Sequence, residues 1–161
     1  MKHPIVTTPR TEAWRSVLLV AGLAAIAPAW AQISLSKSAD LVFGGFVASS
    51  GGTVTVAPNG GRSKSGSVLL VTQGASGAAA QFTVTGTADA TYAITLPAND
   101  TVTLSDGSHT MAVNNFTSTP SGTGTLTGGS QVLRVGATLT AGNAQTPGSY
   151  TGSFNVSVQY N

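Results

Sequence analysis

The sequence predicts an immunoglobulin-like antiparallel β-sandwich with Greek-key connections. Three observations carry this. Beyond residue 31, large apolar residues recur at every second position in about nine short segments. Turn signals separate these segments roughly every ten residues. No segment in this region shows a helical period. Of the 20 Gly in the chain, 19 lie after residue 31, as tight turns between short strands require. The chain has 161 residues and no Cys, so burial and ladder hydrogen bonds must hold the fold without disulfides.

The first 31 residues read differently. Lys2, Arg10 and Arg15 precede the apolar run "SVLLVAGLAAIA", then Pro28 and "AWA". Ala29 and Ala31 are the small residues of a signal-peptidase site, with cleavage expected between Ala31 and Gln32. The run Ser16 to Ala27 covers 12 positions, short of the roughly 20 that a spanning helix needs. The expected organisation is a cleaved signal peptide over 1–31 and a single β-sandwich over 32–161. No membrane span is expected after cleavage. Export through the inner membrane to the periplasm, and from there to the cell surface or an extracellular fibre, follows.

Each segment justifies itself in turn. "LVFGGFV" is a strong strand with a Gly pair that marks a bulge or a close backbone approach. "GTVTVAP" alternates and runs into "NGG", a tight turn. Arg62 and Lys64 in "NGGRSKSG" read as a solubilising basic turn, and "SVLLV" as a short strand buried on both faces. "AQFTVTG" and "TYAITLP" alternate around "TADA". "TVTL" and "TMAVNNF" flank the hairpin signal "SDGSH". "TPSGTGTLTGGS" reads as a flexible connection, and "QVLRVGATLTA" and "SYTGSFNVSVQY" complete the set. A closed barrel is the alternative. Several strands fall short of the roughly 9–11 residues a membrane barrel uses.

Charge and chemistry are sparse. After residue 31 the ionic residues are Lys37, Arg62, Lys64 and Arg134 against Asp40, Asp89, Asp100 and Asp106. That near-neutral balance gives no reason to expect nucleic acid as a partner. Asp106, Ser108 and His109 share one hairpin turn, too close together to line up nucleophile, base and orienting group. Asp100, Asp106 and His109 follow no recognised metal-ligand spacing. "GTGTLTG" lacks the Lys and following helix of a phosphate loop. The expectation is a protein that is not an enzyme and needs no cofactor. The eight aromatics of this region fall mostly at inward positions, as core residues do.

The stretches "LVFGGFVASSGGTVTVAPNGGRS", "FTVTGTADATYAITLP", "NFTSTPSGTGTL" and "LRVGATLTAGNAQTPGSYTGSFNVSVQYN" together resemble a bacterial exported family of unknown function, family 4402. That family is similar in turn to the fimbrial and spore-coat-U-like sandwiches of chaperone–usher pili. Such pilins carry a C-terminal motif of a penultimate aromatic, alternating apolar residues before it, and a Gly fourteenth from the end. Here Tyr160 is penultimate, Val158, Val156 and Phe154 alternate before it, and Gly148 is fourteenth from the end.

The resemblance implies a structural subunit of a surface fibre, assembled by β-strand addition. A periplasmic chaperone would first occupy the edge formed by Gly148, Phe154, Val156, Val158 and Tyr160. A second copy would then replace it through an N-terminal donor segment, for which Ile33 and Leu35 are the candidates. An usher is the further implied partner, and self-polymerisation by strand exchange the implied outcome. Lys37 and Ala39 follow where a longer donor would continue its apolar alternation. The alternative is a self-contained secreted sandwich acting as a binding or adhesive module.

Overall fold

A computed structural model describes residues 32–71, 74 and 76–161. The signal-peptide reading falls outside these residues. Ten strands are present among them: β1 (Ser34–Ala39), β2 (Phe46–Val56), β3 (Arg62–Leu70), β4 (Ala80–Thr85), β5 (Thr91–Thr95), β6 (Val102–Ser105), β7 (Thr110–Thr119), β8 (Thr123–Thr125), β9 (Ser130–Ala141) and β10 (Ser157–Tyr160). All pairings are antiparallel, and the strands form a sandwich-like arrangement of a seven-stranded and a three-stranded sheet.

The longest strand, β9, is the spine. Its first half pairs with β4 and its second half with β2, while β7 runs along its other edge. The position of β9 follows from its composition. Leu133, Val135, Ala137, Leu139 and Ala141 alternate inward and are all buried. β1 extends the sheet beyond β4, and β3 extends it beyond β2. β10, β5 and β8 form the second sheet in that order.

Two apolar clusters fill the interior. One gathers Phe43, Val54, Val56, Val68, Met111, Val113 and Leu139. The other gathers Phe82, Val84, Tyr92, Leu126, Leu133 and Val135. Tyr92 is fully buried, and its hydroxyl donates to Gln131 Oε1 at 2.8 Å, so the phenol enters the core with its polar tip satisfied.

Several expectations change. The segments "LVFGGFV" and "GTVTVAP" do not form two strands. Val42 makes only an isolated bridge to Ala78, and β2 runs unbroken from Phe46 to Val56 around a sharp corner. Gly51, Gly52 and Gly66 make that corner with positive φ. A Cβ on Gly52 would lie 2.2 Å from Ser65 O, so no larger residue fits.

Arg62 and Lys64 are strand residues of β3 rather than a turn. "SVLLV" is not buried on both faces. Val68 is buried, but Leu69 is 65% exposed, because successive side chains point to opposite faces and only the Val68 face of β3 is covered. "TPSGTGTLTGGS" is not a loose connection. It holds β8 and a short 3-10 turn, pinned by the fully buried Leu126.

Candidate functional site

The sandwich is sealed on one side and open on the other. On the sealed side, β7 and β9 pair continuously apart from one bulge. On the open side, β1 and the 41–48 segment face the last stretch of chain, Gln145 to Tyr160, across a seam. β1 is bonded only to β4, and β10 only to β5.

The backbone explains why this seam stays open. The final stretch runs antiparallel along β5 and β6. It pairs with β5 through Ser157–Tyr160 and with β6 through a bridge between Ser105 and Thr151. Between these two anchors the loop 96–101 pulls away. It is held by the bulge in β7: Asn115 N donates to Asn99 Oδ1 (2.8 Å), and Asp100 N donates to Asn114 Oδ1 (2.7 Å). Gly152 packs against Thr103 and Leu104 of β6, but Gly152 to Val156 pair with no strand. Among the described residues they make no backbone–backbone hydrogen bond. That is a row of unpaired donors and acceptors, the kind of edge that templates strand addition.

A groove of about 810 Å³ lies beside this edge. One wall is Lys37 and residues 39–48, and the other is Gln145 to Phe154. Phe82, Val102, Leu104, Met111, Val113 and Leu139 form its apolar floor. These are residues of the sandwich interior, so the groove opens directly onto the core. At the rim Lys37 Nζ pairs with Asp40 Oδ1 at 2.6 Å, in an exposed position.

The structure places each expected residue. Phe154 stands at the end of the groove, half-buried. Its ring meets Phe82 edge-on (6.4 Å, 81°) and Phe116 at a tilt (5.1 Å, 43°). Val156, Val158 and Tyr160 also point inward and are half-buried against the second cluster. Tyr160 reaches the β4–β5 turn, where its hydroxyl accepts Thr87 N–H at 2.7 Å and meets Thr87 Oγ1 at 3.3 Å. Gly86 makes room for it: a Cβ there would sit 2.1 Å from the Tyr160 hydroxyl.

Gly148 lies on the groove wall beside Asp106, whose Oδ2 would be 3.2 Å from an added Cβ. Ile33 and Leu35 are not on a detached arm. β1 pairs with β4, including Leu35 with Val84, and both side chains pack on the cluster that also takes Val156, Val158 and Tyr160. The two predicted sets thus meet within one molecule at one end of the seam. The groove is the other end.

The Asp106 turn holds the wall in place. Asp106 Oδ1 accepts the N–H groups of Ser108 (2.8 Å) and His109 (2.6 Å), and Oδ2 lies 3.1 Å from His109 Nδ1. The two backbone N–H groups, from His109 first and then Ser108, hold the Asp106 carboxyl well below the usual carboxylate range. The three residues therefore build a turn. Tyr150, which packs on the first cluster, donates to Thr146 O at 2.8 Å and accepts from Gln145 Nε2 at 2.9 Å.

Sequence reasoning missed the other wall and the floor: Phe43, Phe46, Leu104 and Met111. Their alternation marks them as core, but only the open seam turns core into lining.

The family model described as "Domain of unknown function (DUF4402)" matches residues 33–160. The chain belongs to this family. No curated protein and no solved structure matches the chain significantly. The matched span covers every strand described above, so the groove, its walls and the final strand are all built from family sequence. Among the described residues no helix is long and apolar enough to cross a membrane.

Proposed function

We propose that this DUF4402 chain is a non-enzymatic structural subunit of a bacterial surface fibre, joined to its neighbours by β-strand addition. One observation carries the reading. An apolar groove opens onto the core beside a stretch, Gly152 to Val156, whose backbone has no ladder partner among the described residues. An extended segment with alternating apolar side chains would satisfy both features at once. Its backbone would pair with the free edge and its side chains would cover Phe154, Leu104 and Met111. Each large side chain fully buried in this way contributes about 1.5–3 kcal/mol.

In this reading a chaperone and an usher are the partners of assembly, and the periplasm and then the cell surface the sites of action. Leu35 would have to leave β4, and Ile33 the cluster it packs on, to serve as donors, so β1 would be exchanged between copies rather than supplied from a free arm.

The test is addition of a strand. The processed chain is unfolded in urea with and without a synthetic peptide of residues 32–41. A midpoint raised by the peptide, or self-association in its absence, is expected. A cooperative monomer indifferent to the peptide would refute the reading.

A second reading has its own observation. β1 already pairs with β4 at five registered positions, and Ile33 and Leu35 pack on the same apolar cluster as Val156 and Val158. The chain would then be a self-contained secreted module for binding or adhesion. Deleting residues 32–38 separates the two. A self-contained module loses monomer stability, whereas an assembling subunit loses chiefly its assembly.

A further inference from the structure

The β2–β3 hairpin curls back on itself at the Gly51–Gly52 corner. Its tip, near Arg62, thereby reaches its own base. Arg62 pairs with Val56 at the tip, yet its Nη2 donates to Gly45 O and its Nη1 to Val71 O (3.4 Å), both at the base. Gly45 O also accepts the N–H of Val71 at 2.9 Å. The side-chain stem lies flat on Gly77, where a Cβ would be 2.8 Å from Arg62 Cδ. Nε is buried and has no hydrogen-bond partner among the described residues. A guanidinium held by two main-chain carbonyls, with one N–H left unsatisfied, is a costly way to end a hairpin. What it secures is Gly45 to Ala48, and all four of these residues line the groove.

We propose that Arg62 is a positioning residue for the groove: its forked guanidinium ties Gly45 and Val71 together and holds the Gly45–Ala48 wall upright over the core. The planar fork is required. Its two arms reach one carbonyl just before β2 and one just after β3, which the single ammonium of Lys cannot span in the same way. Without the fork, the base of the hairpin swings free and the wall loses its fixed distance from Gln145 to Phe154. This role rests on reading the groove as the strand-accepting site, but the tether itself is measurable apart from any partner.

The experiment uses the full chain and its Arg62→Lys and Arg62→Met variants. Amide hydrogen exchange is followed at Val71 and Phe46 to Ala48, with Leu133 and Val135 in β9 as internal references. Affinity for a synthetic peptide of residues 32–41 is measured alongside. Loss of a hydrogen bond to a charged group is expected to speed exchange at Val71 and the wall by about tenfold or more in both variants, with β9 unchanged. Peptide affinity is expected to fall by a similar factor, with Lys failing to restore it.

Unchanged exchange at the wall would overturn the proposal, as would a uniform rise that includes β9. If the native chain ignores the peptide while Arg62→Lys still loosens only the wall, the tether stands and the strand-accepting reading falls. Should Arg62→Met fail to fold, Arg62→Lys keeps the stem and the charge and decides the matter alone.

Discussion

Replacing Phe154 by Ala should destabilise the isolated chain measurably without unfolding it. The ring sits where the two core clusters meet, edge-on to Phe82 and tilted against Phe116. A fully buried Phe→Ala change costs about 3–5 kcal/mol. Phe154 is partly buried, because its outer side faces the groove, so the low end of that range or a little less applies. The aromatic contacts are worth about 0.5–1.5 kcal/mol per pair beyond burial, and part of this is also lost. The expected cost is about 2–3 kcal/mol.

Urea unfolding followed by circular dichroism reads this directly. With a slope of about 1–3 kcal/mol/M, the midpoint should fall by about 1 M or more. The same substitution should cost more once a strand covers the groove, since the ring is then enclosed on every side. A loss below about 0.5 kcal/mol, typical of surface positions, would show that Phe154 does not join the clusters.

Other substitutions test other parts of the account. Gly86→Ala places a methyl against the Tyr160 hydroxyl and should cost about 1–3 kcal/mol by overpacking. Adding Tyr160→Phe should recover part of that loss, so a double-mutant cycle with strictly additive costs would contradict the contact. Leu69→Ser should change stability by no more than about 0.5 kcal/mol, since the side chain is 65% exposed; a large loss would restore the reading of "SVLLV" as doubly buried.

Burial raises the Tyr92 phenol above its usual value. Its stabilising contribution is therefore complete below about pH 10, where the unfolded phenol ionises, and is lost as pH rises toward the higher folded value. Tyr92→Phe should flatten that alkaline limb in a pH series of thermal melts, and an unchanged limb would speak against it. Asp106 has the opposite sign. Its lowered pKa stabilises the fold above about pH 4 and the contribution fades as pH falls further, so Asp106→Asn should flatten the acid limb of the same series.

The fold class was legible because its signal is local. Strict alternation in β4, β5, β7 and β9 placed Phe82, Tyr92, Val113 and Leu139 inside, and the "NGG" and "SDGSH" turns sit where their chemistry requires. The misreadings share one cause. Alternation says that a residue has an inward face, not whether anything covers the outward one. "SVLLV" looked doubly buried because its run is continuous, but nothing covers the outer face that carries Leu69. Arg62 looked solvated because it follows a turn, yet the Gly51–Gly52 corner folds it onto a distant backbone.

The final strand was visible at Phe154, Val156, Val158 and Tyr160. Its missing partner was not, since the gap depends on a loop held away by Asn99 and Asp100. Ile33 and Leu35 were legible as an apolar pair, but not as the start of an internal strand. Leu35 pairs with Val84 of β4 and Ile33 lies just before β1, a long-range arrangement that no local pattern encodes.

The central claim is that the seam beside the last strand is open in the single chain and closes on a partner strand. Amide hydrogen exchange at Gly152 to Val156 measures this most directly, in the isolated chain and again with the strand-bearing peptide or in assembled fibres. An open seam exchanges rapidly in the isolated chain and gains strong protection on assembly. Amides already protected in the monomer, or still unprotected in the assembled state, would contradict it.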